Sequence, residues 1–190
     1  MPARRQRLSR EAWAAAALRA LSAGGVAAVA VEPLAATLGT TKGSFYWHFA
    51  DRAELVRAAL ELWELEQTSA VIDELGTLEE PRERLRVLLT LVLTHREGPD
   101  PVAQLFRDIA HPEVAAAVRR VTARRIDFVA GELQSTGMPP AEARRRAAVA
   151  VAAYVGWWQV HAVLPQDAPV GRDGREHAKV LWLICEAALP

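Results

Sequence analysis

Apolar residues recur every three to four positions through most of this 190-residue chain, which is the spacing of one face of an α-helix. No segment shows the apolar–polar alternation of a half-buried strand. Breaks that contain Gly or Pro separate the periodic stretches, so the pattern predicts an all-α fold of about nine helices. We place these helices at residues 9–24, 31–38, 41–49, 51–74, 79–96, 101–110, 112–136, 140–164 and 173–189.

The first three predicted helices are short and closely spaced. Ser9 is a good N-cap for the first, Gly24-Gly25 ends it, and Gly39 separates the second from the third. Two short helices joined by a few residues that include Gly form the helix-turn-helix pattern. We therefore predict a helix-turn-helix head, residues 1–50, and a helical body, residues 51–190, whose first helix is capped by Asp51.

The third predicted helix combines small polar residues, a lysine, aromatic rings and a histidine. A buried stripe covers only part of a helix, so we expect Phe45 and Phe49 to face inward and Tyr46, Trp47 and His48 to face outward. Small residues allow close approach to DNA, a lysine near a helix N-terminus binds phosphate, and rings contact sugars or thymine methyl groups. The alternative is that the aromatic residues belong to the core. The predicted DNA contacts are Thr41, Lys42, Gly43, Ser44, Tyr46, Trp47 and His48.

The charge distribution agrees with a head that meets a polyanion. Residues 1–52 contain seven basic and three acidic residues, whereas the whole chain is formally neutral, so a head of +4 is joined to a body of −4. The single cysteine, Cys185, excludes an intrachain disulfide, and no apolar stretch reaches 18 residues. We expect a cytoplasmic protein with no membrane partner. The five histidines are scattered and no catalytic motif occurs, so we expect no metal, cofactor or catalytic residues.

The segment from Ser9 to about Leu55 resembles the DNA-binding head of the tetracycline-repressor-type (TetR) family of bacterial transcriptional regulators. The resemblance implies a homodimer that places two third helices in successive major grooves of a near-palindromic operator, and a phosphate contact from Arg52. It also implies an inducer, a small molecule that binds in the body and releases the DNA. Ala30 departs from the family, which usually has a capping Thr or Ser there. The matching residues are 24–25, 34–35, 39, 41–49 and 51–55.

Two predicted helices of the body have faces suited to dimerisation. Small and apolar residues share one face of helix 140–164, where a partner helix could approach closely, and helix 173–189 is strongly apolar. The alternative is that both helices pack within one chain. The predicted interface residues are Ala148, Ala152, Val155, Gly156, Gln159, Leu181 and Trp182.

Aromatic residues of the body are candidates for a ligand cavity, because ligand pockets are mostly apolar with few polar anchors. For each of them, packing in the core is the alternative. Arg107, Asp108 and His111 could supply polar anchors or link ligand binding to the head. The alternative function is a dimeric DNA-binding regulator with no small ligand, controlled by a protein partner or by DNA architecture. The candidate ligand residues are Trp63, Phe106, His111, Phe128, Tyr154 and Trp158.

Overall fold

The computed structural model describes residues 8–94 and 101–163, which contain helices and no strand. A π-helical turn, Leu65–Ser69, joins α4 and α5 into one continuous helix, so these residues form eight helical segments. The predicted helix at 173–189 lies outside them. No helix in the described part of the chain is long and apolar enough to cross a membrane. The helices are α1 Arg10–Ala28, α2 Val31–Thr37, α3 Lys42–Phe45, α4 Arg52–Glu64, α5 Ala70–Leu75, α6 Pro81–Thr94, α7 Pro101–Arg107, α8 Pro112–Ser135 and α9 Pro140–Val163.

The predicted start and break of α1 are confirmed. The Ser9 hydroxyl accepts a hydrogen bond from the backbone N–H of Ala12 at 3.3 Å, as an N-cap does. The helix bends where Gly24 and Gly25 leave helical geometry, with φ of −147° and +71°. The following α2 begins at an N-cap, Ala30, that makes no side-chain hydrogen bond, in agreement with the missing hydroxyl there.

The third helix is shorter than the predicted 41–49. Its α-helical part spans only Lys42–Phe45, and residues 46–48 continue as turns. Thr41 occupies the N-cap position without a side-chain capping bond. Beyond its end, Arg10 of α1 donates to the carbonyl of His48 at 2.5 Å, which holds the turn at 46–48 against α1.

One hydrophobic core joins the head to the body. In the head, Trp13 meets Phe45 edge to face at 5.5 Å, and Phe45 stacks on Phe49 at 5.5 Å. The same cluster of buried side chains continues through α4 and α7 into α8 and reaches Tyr154 of α9. The division at residue 50 therefore remains a prediction, since burial does not separate the two parts.

An ion pair attaches α6 to α8. The Arg84 guanidinium donates to both carboxylate oxygens of the buried Glu132, at 3.0 and 2.9 Å. It also donates to the carbonyls of Leu78 and Glu79, both at 2.8 Å. Bidentate pairs fix orientation as well as distance, so this contact positions α6 along the wall of the body.

Candidate functional site

The aromatic residues of the third helix divide between core and surface as predicted. Phe45 and Phe49 are 1% and 2% exposed, whereas Tyr46 is 59% and Trp47 is 86% exposed. The side chain of His48 is intermediate. Large exposed rings on an anchored turn form a surface suited to a partner, because apolar surface exposed to water becomes more stable when a partner covers it.

An open groove of about 350 Å³ brings three of the predicted DNA contacts together. Lys42, Tyr46 and Arg52 line it, together with residues 30–33 at the start of α2. Of the remaining predicted contacts, Thr41 and Gly43 are exposed and Ser44 is half-buried. The third helix, the start of α2 and the start of α4 thus form one continuous polar and aromatic surface.

Lys42 is paired with an acid of the neighbouring helix. Its ammonium lies 2.9 Å from Oε1 of Glu32 in α2. This hydrogen bond, followed by the attraction between the charges, raises the pKa of Lys42 and lowers the pKa of Glu32. Both groups are therefore charged at neutral pH, and a phosphate would compete with Glu32 for the lysine. No sequence pattern predicts this pair, because the two residues lie ten positions apart on different helices.

Arg52, for which the resemblance implies a phosphate contact, is bound to the head itself. Its Nε donates to the carbonyl of Val29 at 2.5 Å, and a second guanidinium nitrogen donates to the carbonyl of Val26. The residue nevertheless remains exposed. It therefore ties the start of α4 to the α1–α2 connection, and its contact with phosphate stays a prediction.

A second cluster fixes the end of the third helix. Arg10 lies 4.3 Å from the ring centroid of Phe49 and 2.9 Å from Oε1 of Glu54 in α4. Glu54 accepts a hydrogen bond from the backbone N–H of Ala50 at 2.7 Å. That bond, and then the Arg10 contact, lowers the pKa of Glu54. The exposed turn at 46–48 is thus supported from α1 and α4.

A body helix docks directly on the α1–α2 connection. Oδ2 of Asp108, just after α7, accepts a hydrogen bond from the backbone N–H of Val26 at 2.7 Å. Gly25 permits this approach, since a Cβ there would lie 2.2 Å from that oxygen and 2.6 Å from Nε2 of Gln104. The backbone of Val26 is therefore held on both sides, by the body through its N–H and by Arg52 through its carbonyl.

The body contains an apolar cavity of about 80 Å³. Two of the six candidate ligand residues, Phe128 and Tyr154, line it. The π-helical turn, α5, α6, α8 and α9 supply its walls. The lining residues are Gln67, Thr68, Val71, Ile72, Leu88, Leu89, Arg125, Phe128, Val129, Ala150, Val151 and Tyr154.

The other four candidate ligand residues are not part of this lining. Trp63 is buried, and Phe106 and Trp158 pack against the main core. His111 is the N-cap residue of α8 and lies 3.0 Å from Oε2 of Glu113. Helical spacing identified apolar positions correctly, but it could not tell a cavity wall from the adjacent core.

The predicted dimer face of α9 is largely open to solvent. Ala148, Ala152 and Gln159 are exposed, and Val155 and Gly156 are half-buried. Leu181 and Trp182 lie outside the described residues. The sequence analysis missed three exposed valines that extend this face, Val149 at 63%, Val160 at 46% and Val163 at 68%.

Known proteins share both the head and the fold. Residues 14–59 match the family described as bacterial regulatory proteins, tetR family. The chain is 27% identical to the HTH-type transcriptional regulator AcrR of Shigella flexneri, in an alignment that covers 89% of this chain and 86% of that protein.

Solved structures agree over nearly the whole chain. A TetR transcriptional regulator from Legionella pneumophila superposes with a TM-score of 0.79 at 14% identity, covering 98% of this chain and 100% of that one. A Saccharomonospora viridis structure, described as a transcriptional regulator in complex with choline, gives 0.76 at 19% identity, covering 93% and 95%. At these identities the likeness shows the fold. Residues 14–59 thus have the sequence of a tetR-family DNA-binding head, and the chain as a whole has the fold of solved regulators of that family.

Proposed function

We propose that the protein is a cytoplasmic repressor that binds a palindromic operator as a homodimer and is released by a small, largely apolar molecule. The observation that carries the DNA-binding part is the exposure of two adjacent rings next to the groove that Lys42 lines, 59% for Tyr46 and 86% for Trp47. These side chains stand on a turn that Arg10 and Glu54 hold in place. Such a surface has the donors, positive charge and apolar rings that a DNA groove requires.

The third helix would enter the major groove. Thr41, Gly43 and Ser44 are small enough to let the backbone approach, Lys42 would bind a phosphate, and Tyr46 and Trp47 would contact sugars or base edges. In a two-fold dimer the two third helices would lie about 34–36 Å apart, one turn of the double helix.

The exposed face of α9 supports dimerisation. Val149, Val160 and Val163 leave apolar surface in water, and Ala148 and Ala152 between them allow a second helix to approach closely. A two-fold axis would pair this face with the same face of a second copy.

The cavity supports control by a small ligand, as does the choline complex of the Saccharomonospora viridis structure. A regulator without a small ligand would have no need of an apolar cavity between four helices. At about 80 Å³ the cavity is smaller than most ligand pockets, which measure roughly 300–1,000 Å³, so binding would push its walls apart.

Two connections could carry that displacement to the DNA-binding surface. The π-helical turn is part of the cavity wall and continues into α4, whose first residue, Arg52, holds the Val26 carbonyl. In addition, α7 contacts α9 and holds the Val26 N–H through Asp108. Both connections end at the backbone of Val26, so a shift of either helix would re-orient α2 and α3.

Removing one positive charge from the head tests the DNA-binding part. We expect Lys42→Ala to weaken binding to every duplex and to reduce the slope of log K against log salt by about one. Arg144→Ala is the matched control, because it removes an exposed arginine of the body. Fluorescence anisotropy with labelled duplex from 50 to 300 mM salt measures both slopes. Equal slopes for the two variants would place the DNA-binding surface elsewhere.

A further inference from the structure

Arg125 is the single charged side chain among the described residues that line the cavity. The lining is otherwise aliphatic and aromatic apart from Gln67 and Thr68. A cationic group in such surroundings is costly unless something neutralises it. The partners of Arg125 therefore indicate what the cavity is suited to hold.

These partners are all neutral. Nε of Arg125 donates to Oγ1 of Thr68 at 3.0 Å, and Nη2 donates to the carbonyl of Gln67 at 3.1 Å. The guanidinium also lies 5.6 Å from the ring centroid of Trp63 and 5.3 Å from that of Tyr154. Two hydrogen bonds and two rings fix its orientation, while a guanidinium has five N–H groups to donate.

Three other arginines of the body that are partly buried or bridge two elements have acidic partners. Arg84 pairs with Glu132, Arg120 pairs with Glu64 at 2.7 Å, and Arg146 lies 2.6 Å from Glu142. Arg125 contacts no carboxylate within residues 8–94 and 101–163. Arg125 is half-buried and borders an apolar cavity, so a carboxylate bound in that cavity could supply the counter-charge that the protein does not.

The helix that supplies the partners of Arg125 has an irregular backbone where they lie. Gln67 and Thr68, the two acceptors, belong to the π-helical turn that interrupts the helix between α4 and α5. Thr68 is only 2% exposed. Such π-helical turns occur frequently at functional sites. Here the turn supplies a carbonyl and a hydroxyl that hold the guanidinium at the cavity wall.

We propose that the cavity binds a compact monocarboxylate, with the carboxylate paired to Arg125 and the apolar part among Leu88, Phe128 and Val151. This deepens the proposed function, because it names the chemical class of the inducer. A cation such as choline would be repelled by the unpaired positive charge. A cavity of about 80 Å³ is roughly half the 150 Å³ that holds a benzene molecule, so the apolar part can be no larger than one ring or a short branched chain, and even that requires the walls to move apart.

Shape-matched probes separate charge from size. Benzoate, benzamide and benzamidinium have nearly the same outline, and 4-methylpentanoate with its amide provides an aliphatic pair. By isothermal titration calorimetry with the full chain at up to 10 mM ligand, we expect one carboxylate to bind at least about tenfold more tightly than its amide. We expect benzamidinium not to bind. The proposal is overturned if neither carboxylate binds more tightly than its amide.

Substitution of Arg125 assigns the preference to this side chain. Arg125→Met keeps most of the packing of the stem and should abolish the difference between carboxylate and amide, whereas Arg125→Lys should keep a reduced difference. Arg124→Met is the matched control, since Arg124 is an exposed neighbour on α8 that binds Ser69. Thermal unfolding of each variant verifies folding. A preference that survives in Arg125→Met contradicts the proposal.

Operator binding measured on the same preparations separates this inference from the proposed function. If the protein binds an operator and an amide releases it as well as the carboxylate does, the carboxylate assignment fails and the repressor remains. If no duplex is bound specifically, the proposed function fails, whatever the calorimetry shows.

Discussion

At the scale of single residues, the surface of the head is governed by one charge pair. Lys42 is the basic residue of α3, and Glu32 neutralises part of its charge before any DNA arrives. Both side chains are more than half exposed, so the pair itself adds little stability. Its effect falls instead on DNA binding, because Glu32 both competes for the ammonium and repels nearby phosphates.

Removing this acid should strengthen DNA binding. We expect Glu32→Gln to raise operator affinity about two- to fivefold, because Lys42 stays protonated and loses its internal partner. Glu74→Gln, which removes an exposed acid of α5, should leave the affinity unchanged. Anisotropy titrations at fixed salt compare the two variants. If Glu32→Gln weakened binding, the pair would be needed to position Lys42 rather than compete for it.

The sequence predicts which aromatic side chains of the head are buried, whereas contacts between side chains of different helices depend on the three-dimensional structure. Helical periodicity placed Phe45 and Phe49 inside and Trp47 outside, as the structure confirms. It could not find the pairing of Lys42 with Glu32, or the role of Arg125. Those contacts join residues on different helices, and they depend on crossing angles and rotamers that a linear pattern does not contain.

At the scale of elements, the α1–α2 connection has the strictest local requirement. Gly25 has φ of +71° and ψ of −167°, a region that is essentially restricted to glycine. It also leaves no room for a Cβ, because Asp108 and Gln104 of the body already fill that space. Backbone strain and steric contact therefore both exclude other residues.

Two glycine substitutions test this requirement. Gly39 also has a positive φ, of +63°, but no atom lies within 4 Å of a Cβ placed there. We expect Gly39→Ala to lower the free energy of unfolding by about 1 kcal/mol through strain alone. Gly25→Ala should cost more than about 2 kcal/mol, because displacement of Asp108 is added to strain. Urea unfolding measures both, and equal losses would mean that α7 does not depend on this close approach.

Sequence patterns predicted the presence of each helix better than they predicted its ends and its internal regularity. Gly and Pro breaks located the helices within the described residues, with ends that differ by a few positions. The early end of α3 was not predicted, because residues 46–48 continue the helical spacing of the sequence although they form turns. The π-helical turn at 65–69 was missed because its residues have no composition that distinguishes them from an α-helix.

At the scale of the whole molecule, the head and the body are built as one unit. They share a hydrophobic core, and Val26 is bound through its carbonyl by Arg52 of α4 and through its N–H by Asp108. A change in the cavity can therefore reach the DNA-binding surface without a flexible linker. The sequence indicated the two parts and their charges, but the shared core and the Asp108 contact required the fold.

The most direct test of this account is whether the intact protein distinguishes one inverted repeat from other DNA. The repeat is chosen by selection from a random duplex library and compared with a scrambled duplex of the same composition. At physiological salt we expect at least about a thousandfold preference for the repeat, and Trp47→Ala should lose most of it while retaining fold and dimer. Equal binding of repeat and scrambled duplex at every salt concentration would contradict the account.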